Sequence, residues 1–449
     1  MQLILLSGGS GKSLWPLSND ARSKQFLSLL EAPDGGSESM ICRIERQIRK
    51  SGLDCDITIA TNIAQRDPIL SQLGGRVDIV TEPERRDTFP AIALTAEWLR
   101  LVKGCPLDET IAIMPCDPYT EEGYFDVIAA MAESVGNGAA ELVLMGITPR
   151  YDSTSFGYIV PQEGKADDNG MLHVTRFVEK PSAQSAHDLI SEGAFWNGGV
   201  FVIKLGTLCS YVWKYVKEDS FDKLRARYCD LPKISFDYEV VEKAENVGVV
   251  PFDGLWEDLG TWNALSKRLQ CQVIGDVIMG SNVRHATVVN ELEMPVMCEG
   301  VRDIVVAASP DGILVCGKDQ SDRIKDYVAG LKRRPMYEER RWGTYRVLNY
   351  QKYPDGFEEL TKTITLNPGC CISYQVHHHR SEVWTVTNGR GIFILDGVAR
   401  EVGRGDVLDI KVGQLHAIKA LDRHLTFIEV QAGAPLVEED IERFDWPEV

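Results

Sequence analysis

The sequence predicts an α/β domain on a parallel sheet, then a short β-rich link, then an all-β domain. Three observations carry that prediction. In the first 130 residues, short apolar runs at 3–6, 57–60 and 110–114 alternate with stretches of helical spacing at 39–50 (Ile41, Ile44, Ile48) and 91–102. Strands separated by helices form a parallel sheet covered on both faces. From about 270 to 328 the texture shifts to short strands at 273–279, 287–289, 304–307 and 313–315, closed by a helix at 320–331. A basic break, Lys332-Arg333-Arg334-Pro335, follows. Beyond it come short strands with turns at Pro368-Gly369, Asn388-Gly389, Asp396-Gly397, Gly403, Gly405 and Gly413, the pattern of a sandwich or barrel. The division implied is 1–268, 269–332 (β-helix-like) and 333–449.

The 449 residues are too many for one ordinary domain. Lys and Arg total 48 against 66 Asp and Glu, a formal net charge of −18. That excludes binding to nucleic acid or an anionic membrane through a general basic surface. Any phosphate site must be local. The first residues lack a basic leader, and no apolar run reaches the ~18 residues of a membrane span. Eleven scattered cysteines without a C-x-x-C pair read as reduced thiols. The adjacent Cys370 and Cys371 read as small apolar filler. The expectation is a cytoplasmic protein.

In open α/β sheets the ligand sits outside the carboxyl ends of the strands. The first strand runs directly into Ser7-Gly8-Gly9-Ser10-Gly11-Lys12-Ser13. Such a loop lets backbone N–H groups close on phosphate oxygens. A dinucleotide fingerprint fails because its sixth position is Leu14. A Walker A loop fails because its first Gly would be Leu6, and Pro16 comes too soon for the helix. A plain tight turn is the remaining bland alternative.

A longer pattern fits. Gly8-Gly9-Ser10-Gly11-x-x-Leu14-Trp15-Pro16-Leu17-Ser18 is followed by Lys24-Gln25-Phe26. In order come Glu82-Pro83 through Arg85/Arg86, Thr88 and Pro90; Met114-Pro115-Cys116-Asp117; and Phe156-Gly157-Tyr158. Then follow Phe177-Val178-Glu179-Lys180-Pro181, Trp196-Asn197-Gly198-Gly199, Asp237-Tyr238, and Trp256-Glu257-Asp258-Leu259-Gly260. Over essentially its whole length the chain resembles the type II mannose-1-phosphate guanylyltransferase / mannose-6-phosphate isomerase family. These are sugar-1-phosphate nucleotidyltransferases with a C-terminal cupin, the first domain being Rossmann-like.

The resemblance implies attack of a sugar-1-phosphate oxygen on the α-phosphorus of a nucleoside triphosphate. The products are a nucleoside diphosphate sugar and pyrophosphate. GTP and mannose 1-phosphate are favoured, in the supply of activated sugar for polysaccharide. Such transfer is mainly positioning plus charge neutralisation. Ser7, Gly8, Gly9, Ser10 and Gly11 would cradle phosphate, and Lys24 would contact it. Glu82, Arg85, Thr88 and Pro90 would lie at the nucleotide, near the base. Asp117 at a strand end and Asp258 in a turn would hold Mg²⁺, which takes few carboxylates plus phosphate oxygens. Glu179, Lys180, Asn197 and Gly157 would take the sugar phosphate. For each lone residue a surface, cap or turn role is the simpler alternative.

Two positions depart from the family pattern. Its loop reads Gly-Gly-x-Gly-Thr-Arg-Leu, and the Arg stabilises the triphosphate; here Lys12 and Ser13 stand there, so Ser13 replaces the Arg. Loss of such a donor costs about 10²–10³ in rate, and an ammonium at Lys12 lacks the Arg fork. Impaired turnover is the expectation. Ser23 stands where the family has Pro before its Lys.

In the last domain, Gly369-x5-Gln375-x-His377-x4-Glu382-x6-Gly389 matches the first cupin motif. Gly405-x5-Lys411-x-Gly413-x2-His416 matches the second, with Lys for Pro. Gln375, His377, Glu382 and His416 could surround Zn²⁺ or another divalent transition metal, with His379 a fifth candidate on the same strand face. The alternative is a polar strand face that gathers no metal. The resemblance implies interconversion of mannose 6-phosphate and fructose 6-phosphate, with Lys362 and Glu382 as isomerase candidates. The departures Val383, Ala417 and Ala420 thin the polar shell.

Competing readings are a transferase of other base or sugar specificity, a catalytically weak binder of nucleotide and sugar phosphate, and a P-loop NTPase. A homodimer or other homo-oligomer is the general prior.

Overall fold

The computed structural model describes every residue except 10, 332, 438–439 and 447–449. The described residues form two compact units. The first comprises Met1–Ser13, Ser23–Arg66 and Leu73–Gln270; the second comprises Leu14–Arg22, Asp67–Gln72 and the chain from Cys271 onward. Among the described residues, no helix is long and apolar enough to cross a membrane.

The first unit is built on a mixed sheet of nine strands among the described residues. Its order is Asp78–Glu82, Asp56–Asn62, Gln2–Ser7, Thr110–Pro115, Phe195–Lys204, Leu142–Ile147, Val247–Phe252, Leu172–Val178, Tyr158–Pro161. The first four run parallel, with Leu3 opposite Ile57 and Ala112. Phe195–Lys204 runs antiparallel to Thr110–Pro115 and Leu142–Ile147, and its start also pairs antiparallel with Tyr158–Pro161. The apolar runs are strands because both of their faces are covered: Leu3, Ile4, Leu5, Ile111, Ala112 and Ile113 are fully buried. Helix Met40–Ser51 begins where Ser39 Oγ accepts the Cys42 amide and ends at Gly52 in the left-handed region, φ 75°. Helix Thr88–Leu101 buries Phe89, Ile92, Ala96 and Leu99 in the core of this unit. The carboxyl ends of the four parallel strands thus bring Ser7, Asn62, Glu82 and Pro115 to one edge.

In the second unit a small sheet runs Val273–Ile274, Thr287–Asn290, Ile304–Ser309, Gly312–Gly317, the first three parallel. A parallel pair, Val277–Met279 with Val296–Cys298, lies beside it in sequence. The predicted strand at 273–279 is therefore two strands. Gly275, at φ +88°, breaks it, and any Cβ there would stand 1.9 Å from the Asn290 carbonyl oxygen. The predicted closing helix at 320–331 is a 3₁₀ stretch, Lys318–Arg323, followed by a short α-helix, Ile324–Val328. Gly330 then follows, and Gly disfavours helix continuation. The segment Leu14–Arg22 is held in this unit: the Arg22 guanidinium donates twice to Glu291, at 2.8 and 3.0 Å, and Asn19 donates to Asp311 at 2.7 Å.

Two antiparallel sheets complete the second unit. The described residues of one run Tyr337–Arg340, Gly343–Lys352, Glu358–Leu366, Leu425–Gly433, Arg380–Asn388, Val407–Ile410. The other runs Val398–Gly403, Arg390–Leu395, His416–Ala420, Tyr374–Val376, Glu442–Phe444. Leu360, Ile364, Trp384, Phe393, Ile418 and Phe427 form the core of this double-sheet barrel. Burial along Glu358–Leu366 alternates strictly, so one row of side chains points inward. That row carries Ile364 and Leu366 at one end and Lys362 and Glu358 towards the other.

Candidate active sites

The glycine loop is braced from below by a buried amide and hydroxyl cluster. Gln65 is fully buried, and its Nε2 donates to the Gly9 carbonyl at 3.3 Å and to Ser23 Oγ at 2.6 Å. Gln25 Nε2 donates to Ser7 Oγ at 3.0 Å and Gln65 Oε1 at 3.2 Å; Thr61 Oγ1 donates to the Ser7 carbonyl at 2.7 Å. Ser23 Oγ also reaches the Gly9 carbonyl, at 3.4 Å. The residue that departs from the family Pro therefore takes part in shaping the loop. Ser13 is buried and Lys12 half-buried. Ser10 lies outside the described residues.

Beside the loop, one ammonium joins two carboxylates far apart in sequence. Lys24 Nζ lies 2.9 Å from Asp117 Oδ2 and 2.8 Å from Asp258 Oδ1. The pairing of Trp256–Asp258 with Pro118–Thr120 makes this possible, since it sets Asp258 opposite Pro118. Asp258 thus ends a short strand, not the turn its Gly suggests. Burial lowers the Lys24 pKa, but the two carboxylates outweigh it and raise it above its ordinary value. Two carboxylates that already converge on one cation fit a hard divalent ion with phosphate oxygens completing its shell.

Glu82 is buried at the end of its strand, and its Oε2 accepts from the Tyr228 hydroxyl at 2.8 Å. Its other oxygen comes against Gly8, 3.5 Å from where a Cβ would stand. Burial pushes its pKa up. Arg85 is exposed and its charge reaches Glu82. The Thr88 hydroxyl accepts the Phe236 amide at 2.8 Å, and Pro90 is buried in the first turn of Thr88–Leu101.

The remaining predicted residues of this unit converge at the far part of the sheet. Asn197 N donates to the Gly157 carbonyl at 2.8 Å. Glu179 Oε2 abuts Gly157, where any Cβ would lie 2.6 Å from it and 2.6 Å from Phe177. Lys180, at φ 44°, pairs with Glu179 at 3.1 Å. Asn197 Oδ1 accepts the Gly199 amide at 3.0 Å, and its Nδ2 donates to Asp237 Oδ1 at 2.7 Å. Asp237 was absent from the expected set, although its Asp-Tyr pair belongs to the motif series.

In the barrel, His377, Glu382 and His416 form a fully buried trio whose ligand atoms lie within 4.8 Å of one another. His377 Nδ1 faces the Asp440 carbonyl at 2.5 Å, and His416 Nδ1 faces the Gln414 carbonyl at 3.0 Å. A ring nitrogen facing a carbonyl carries the proton, so both Nε2 lone pairs point inward. Among the described residues His416 Nε2 has no hydrogen-bond partner, and an orphaned buried lone pair beside a carboxylate is what a metal would satisfy. Burial pushes the Glu382 pKa up, but the Arg380 guanidinium and the imidazoles of His377 and His416 beside it outweigh that and hold it well below the carboxylate range; His416 Nε2 stands 3.5 Å from Glu382 Oε2. The trio fits a divalent transition metal.

Gln375 Nε2 is 3.2 Å from His377 Nε2, at the edge of this set. His379 is not part of it. The strand ends at Val376, and His379 turns outward, 55% exposed, with its ring on Asp440 at 3.3 Å. Lys362 is buried with its ammonium over the Tyr345 ring, and its strand partner is Glu429.

Sequence reasoning missed the shell around Glu382. Arg380 Nε donates to its Oε1 at 2.9 Å, Gln431 Nε2 to the same oxygen at 3.2 Å, and Trp384 Nε1 to its Oε2 at 3.1 Å. Trp384 and Gln431 also hold Glu429, at 3.1 and 2.9 Å. The signal was the inward period-two rows Arg380, Glu382, Trp384 and Glu429, Gln431, where charged residues sit among core positions.

Comparison with known proteins identifies the families of both domains. Residues 2–271 match the family model described as nucleotidyl transferase, and residues 332–446 match that of the mannose-6-phosphate isomerase C-terminal domain. Mannose-1-phosphate guanylyltransferase of Escherichia coli K12 is 29% identical, the alignment covering 98% of this chain and 97% of that protein. The xanthan biosynthesis protein XanB of Xanthomonas campestris pv. campestris B100 is 30% identical, with the same coverage. The crystal structure of mannose-1-phosphate geranyltransferase from Thermus thermophilus superposes with a TM-score of 0.58 at 28% identity, covering 73% of this chain and 98% of that one. This chain belongs to the nucleotidyl transferase family and carries a mannose-6-phosphate isomerase C-terminal domain behind its transferase domain.

Proposed function

We propose that the chain transfers a guanylyl group from GTP to mannose 1-phosphate, giving GDP-mannose and pyrophosphate. The observation that carries this reading is the meeting of Lys24, Asp117 and Asp258 beside the glycine loop, at the carboxyl ends of parallel strands. An oxygen of the sugar phosphate forms a bond to the α-phosphorus while the bond to the pyrophosphate oxygen breaks. Loop amides and Lys24 orient the triphosphate and offset its charge. Asp117 and Asp258 would hold Mg²⁺, which supplies further charge neutralisation when bound. Glu82 faces the loop as an acceptor suited to base or ribose donors. Gly157, Glu179, Lys180 and Asn197 frame the sugar-phosphate side. The choice of guanine and mannose rests on the names of the relatives. The modules of this reading are 1–268 for transfer, 269–332 as link and 333–449 as the isomerase-type domain.

The test is pyrophosphate release with Mg²⁺ over a grid of nucleoside triphosphates and hexose 1-phosphates. Release confined to GTP with mannose 1-phosphate is expected; release with another pair would reassign the specificity.

A second activity, mannose-6-phosphate isomerisation, is favoured by the inward lone pairs of His377 and His416 beside Glu382. A Zn²⁺ or similar ion there would polarise the sugar carbonyl when bound. Lys362 would hold or move the proton, while Glu382, kept ionised by Arg380, Gln431 and Trp384, would serve the metal. Formation of fructose 6-phosphate from mannose 6-phosphate tests it.

A further inference from the structure

The geometry points to Asp237 as the side chain that accepts hydroxyl hydrogen bonds from the hexose of the sugar phosphate, with Asn197 as its positioning residue. The inference rests on the transferase reading for its substrate and on three observations of the first unit for its geometry.

The first is what Asn197 does with its amide. Its oxygen is taken by the Gly199 amide in its own turn, and one Nδ2 hydrogen is given to Asp237 Oδ1 at 2.7 Å. That leaves a single N–H with which to read a sugar. A carboxylate offers about four lone-pair sites, so Asp237 keeps most of its acceptor capacity after Asn197 takes one. Sugar hydroxyls are donors as well as acceptors. A carboxylate can therefore take two adjacent hydroxyls at once, which a spent amide cannot.

The second is how Asp237 is fixed. The short helix Phe236–Glu239 is pinned at its start: Ser235 Oγ accepts the Tyr238 amide, the Phe236 amide donates to Thr88 Oγ1, and the Phe236 ring is fully buried. Thr88, predicted at the base, thus serves the sugar side through Phe236. A short side chain on a pinned backbone has little freedom, the condition for a specificity-determining contact.

The third is the company it keeps. Glu179 and Lys180, just past strand Leu172–Val178, and Asn197, on strand Phe195–Lys204, are the polar and charged groups of other elements that act on Asp237. Burial and the neighbouring charge of Glu179 push its pKa up to about 6, against the hydrogen bond from Asn197 and the charge of Lys180. A carboxylate kept partly out of water beside a like charge is under-solvated. Hydroxyl donors from a ligand would relieve that deficit. The ionised form is the acceptor, so binding of the sugar weakens as pH falls through about 6.

Calorimetric binding of mannose 1-phosphate to the full chain, with methyl phosphate as the probe lacking sugar hydroxyls, tests this without requiring turnover. Asp237→Asn is expected to weaken mannose 1-phosphate about 10- to 100-fold at pH 8. Its affinity for methyl phosphate should stay within about twofold. Wild-type preference for mannose 1-phosphate over methyl phosphate should fall below pH 6; the two phosphates titrate alike, so their ratio isolates the protein group. That wild-type ratio also serves if the variant does not fold. Undiminished mannose 1-phosphate affinity in Asp237→Asn, or a wild-type ratio flat from pH 8 to 5, overturns the inference. Normal sugar binding and pH response without pyrophosphate release would sustain it while defeating the transferase reading.

Discussion

Lys24 and Asp258, 234 residues apart in sequence, meet at 2.8 Å. The contact matters because the same ammonium also holds Asp117, so removing any one member changes the charge balance of the other two. Asp258 is half exposed, which keeps its structural role small. Asp258→Asn should therefore lower kcat for pyrophosphate release about 10²–10³-fold while the thermal midpoint changes little. A variant with near-normal kcat would remove Asp258 from the transfer site.

Ser13, which by the resemblance stands in place of an Arg, lies in a loop whose floor is tied by Gln65 and Ser23 to the Gly9 carbonyl. The floor holds the loop in shape but supplies no extra cation. Ser13→Arg is expected to raise kcat about tenfold or more, the lower part of what one charge-stabilising donor contributes. An unchanged kcat in a folded variant would show that the serine is tolerated and that Lys12 or Lys24 suffices.

Gly157 lies under Glu179. A Cβ at 157 would come 2.6 Å from Glu179 Oε2 and 2.6 Å from the Phe177 ring. Both are movable side chains, so the fold should survive, but Glu179 and its partner Lys180 must shift. Gly157→Ala is predicted to raise KM for the sugar phosphate about 10-fold, in line with the cost of a displaced first contact, and to leave KM for the nucleotide near its original value. Equal rises in both would place Gly157 elsewhere in function.

Much of the fold was legible because buried strands read as plain apolar runs: Leu3 to Leu5 and Ile111 to Ile113 have no other place to go. The glycine loop was legible because its residue types serve few other purposes. What stayed hidden was pairing between short strands. Trp256–Asp258 and Pro118–Thr120 have three residues each, too few for a period, yet their register sets the Asp258–Lys24–Asp117 contact. Buried amides gave no signal either; Gln65 resembles any surface glutamine until its helix turn is packed under Gly9. His379 misled because strand periodicity was extended past Val376, where the backbone turns and Asp440 takes the amides of His378 and His379.

The barrel trio gives a prediction independent of any turnover. Glu382 supplies its only anionic ligand and is 1% exposed, held by Arg380, Gln431 and Trp384. Glu382→Gln should strip divalent metal from the purified protein as measured by plasma mass spectrometry. Trp384→Phe, which removes one orienting donor, should weaken metal affinity about 10- to 100-fold. Full metal content in Glu382→Gln would move the site away from this trio.

Asp237 should also leave a mark on stability. Its pKa is raised by burial and by Glu179 to about 6, above the 3.8 of an unperturbed aspartate. Between those values the folded state binds more protons than the unfolded state, so stability falls as pH rises through that window. Above pH 6 the whole penalty is present, on the order of 1–3 kcal/mol; below pH 4 it is gone. Asp237→Asn keeps an oxygen for the Asn197 donor and carries no charge. The variant should therefore melt higher than wild type at pH 8, with the gap closing by pH 4. A gap of the same size at both pH values would mean that the charge of Asp237 is not what the folded state resists. Together with weaker sugar binding in the same variant, the expected pattern would show a side chain whose ionisation destabilises the empty fold and is retained for recognition.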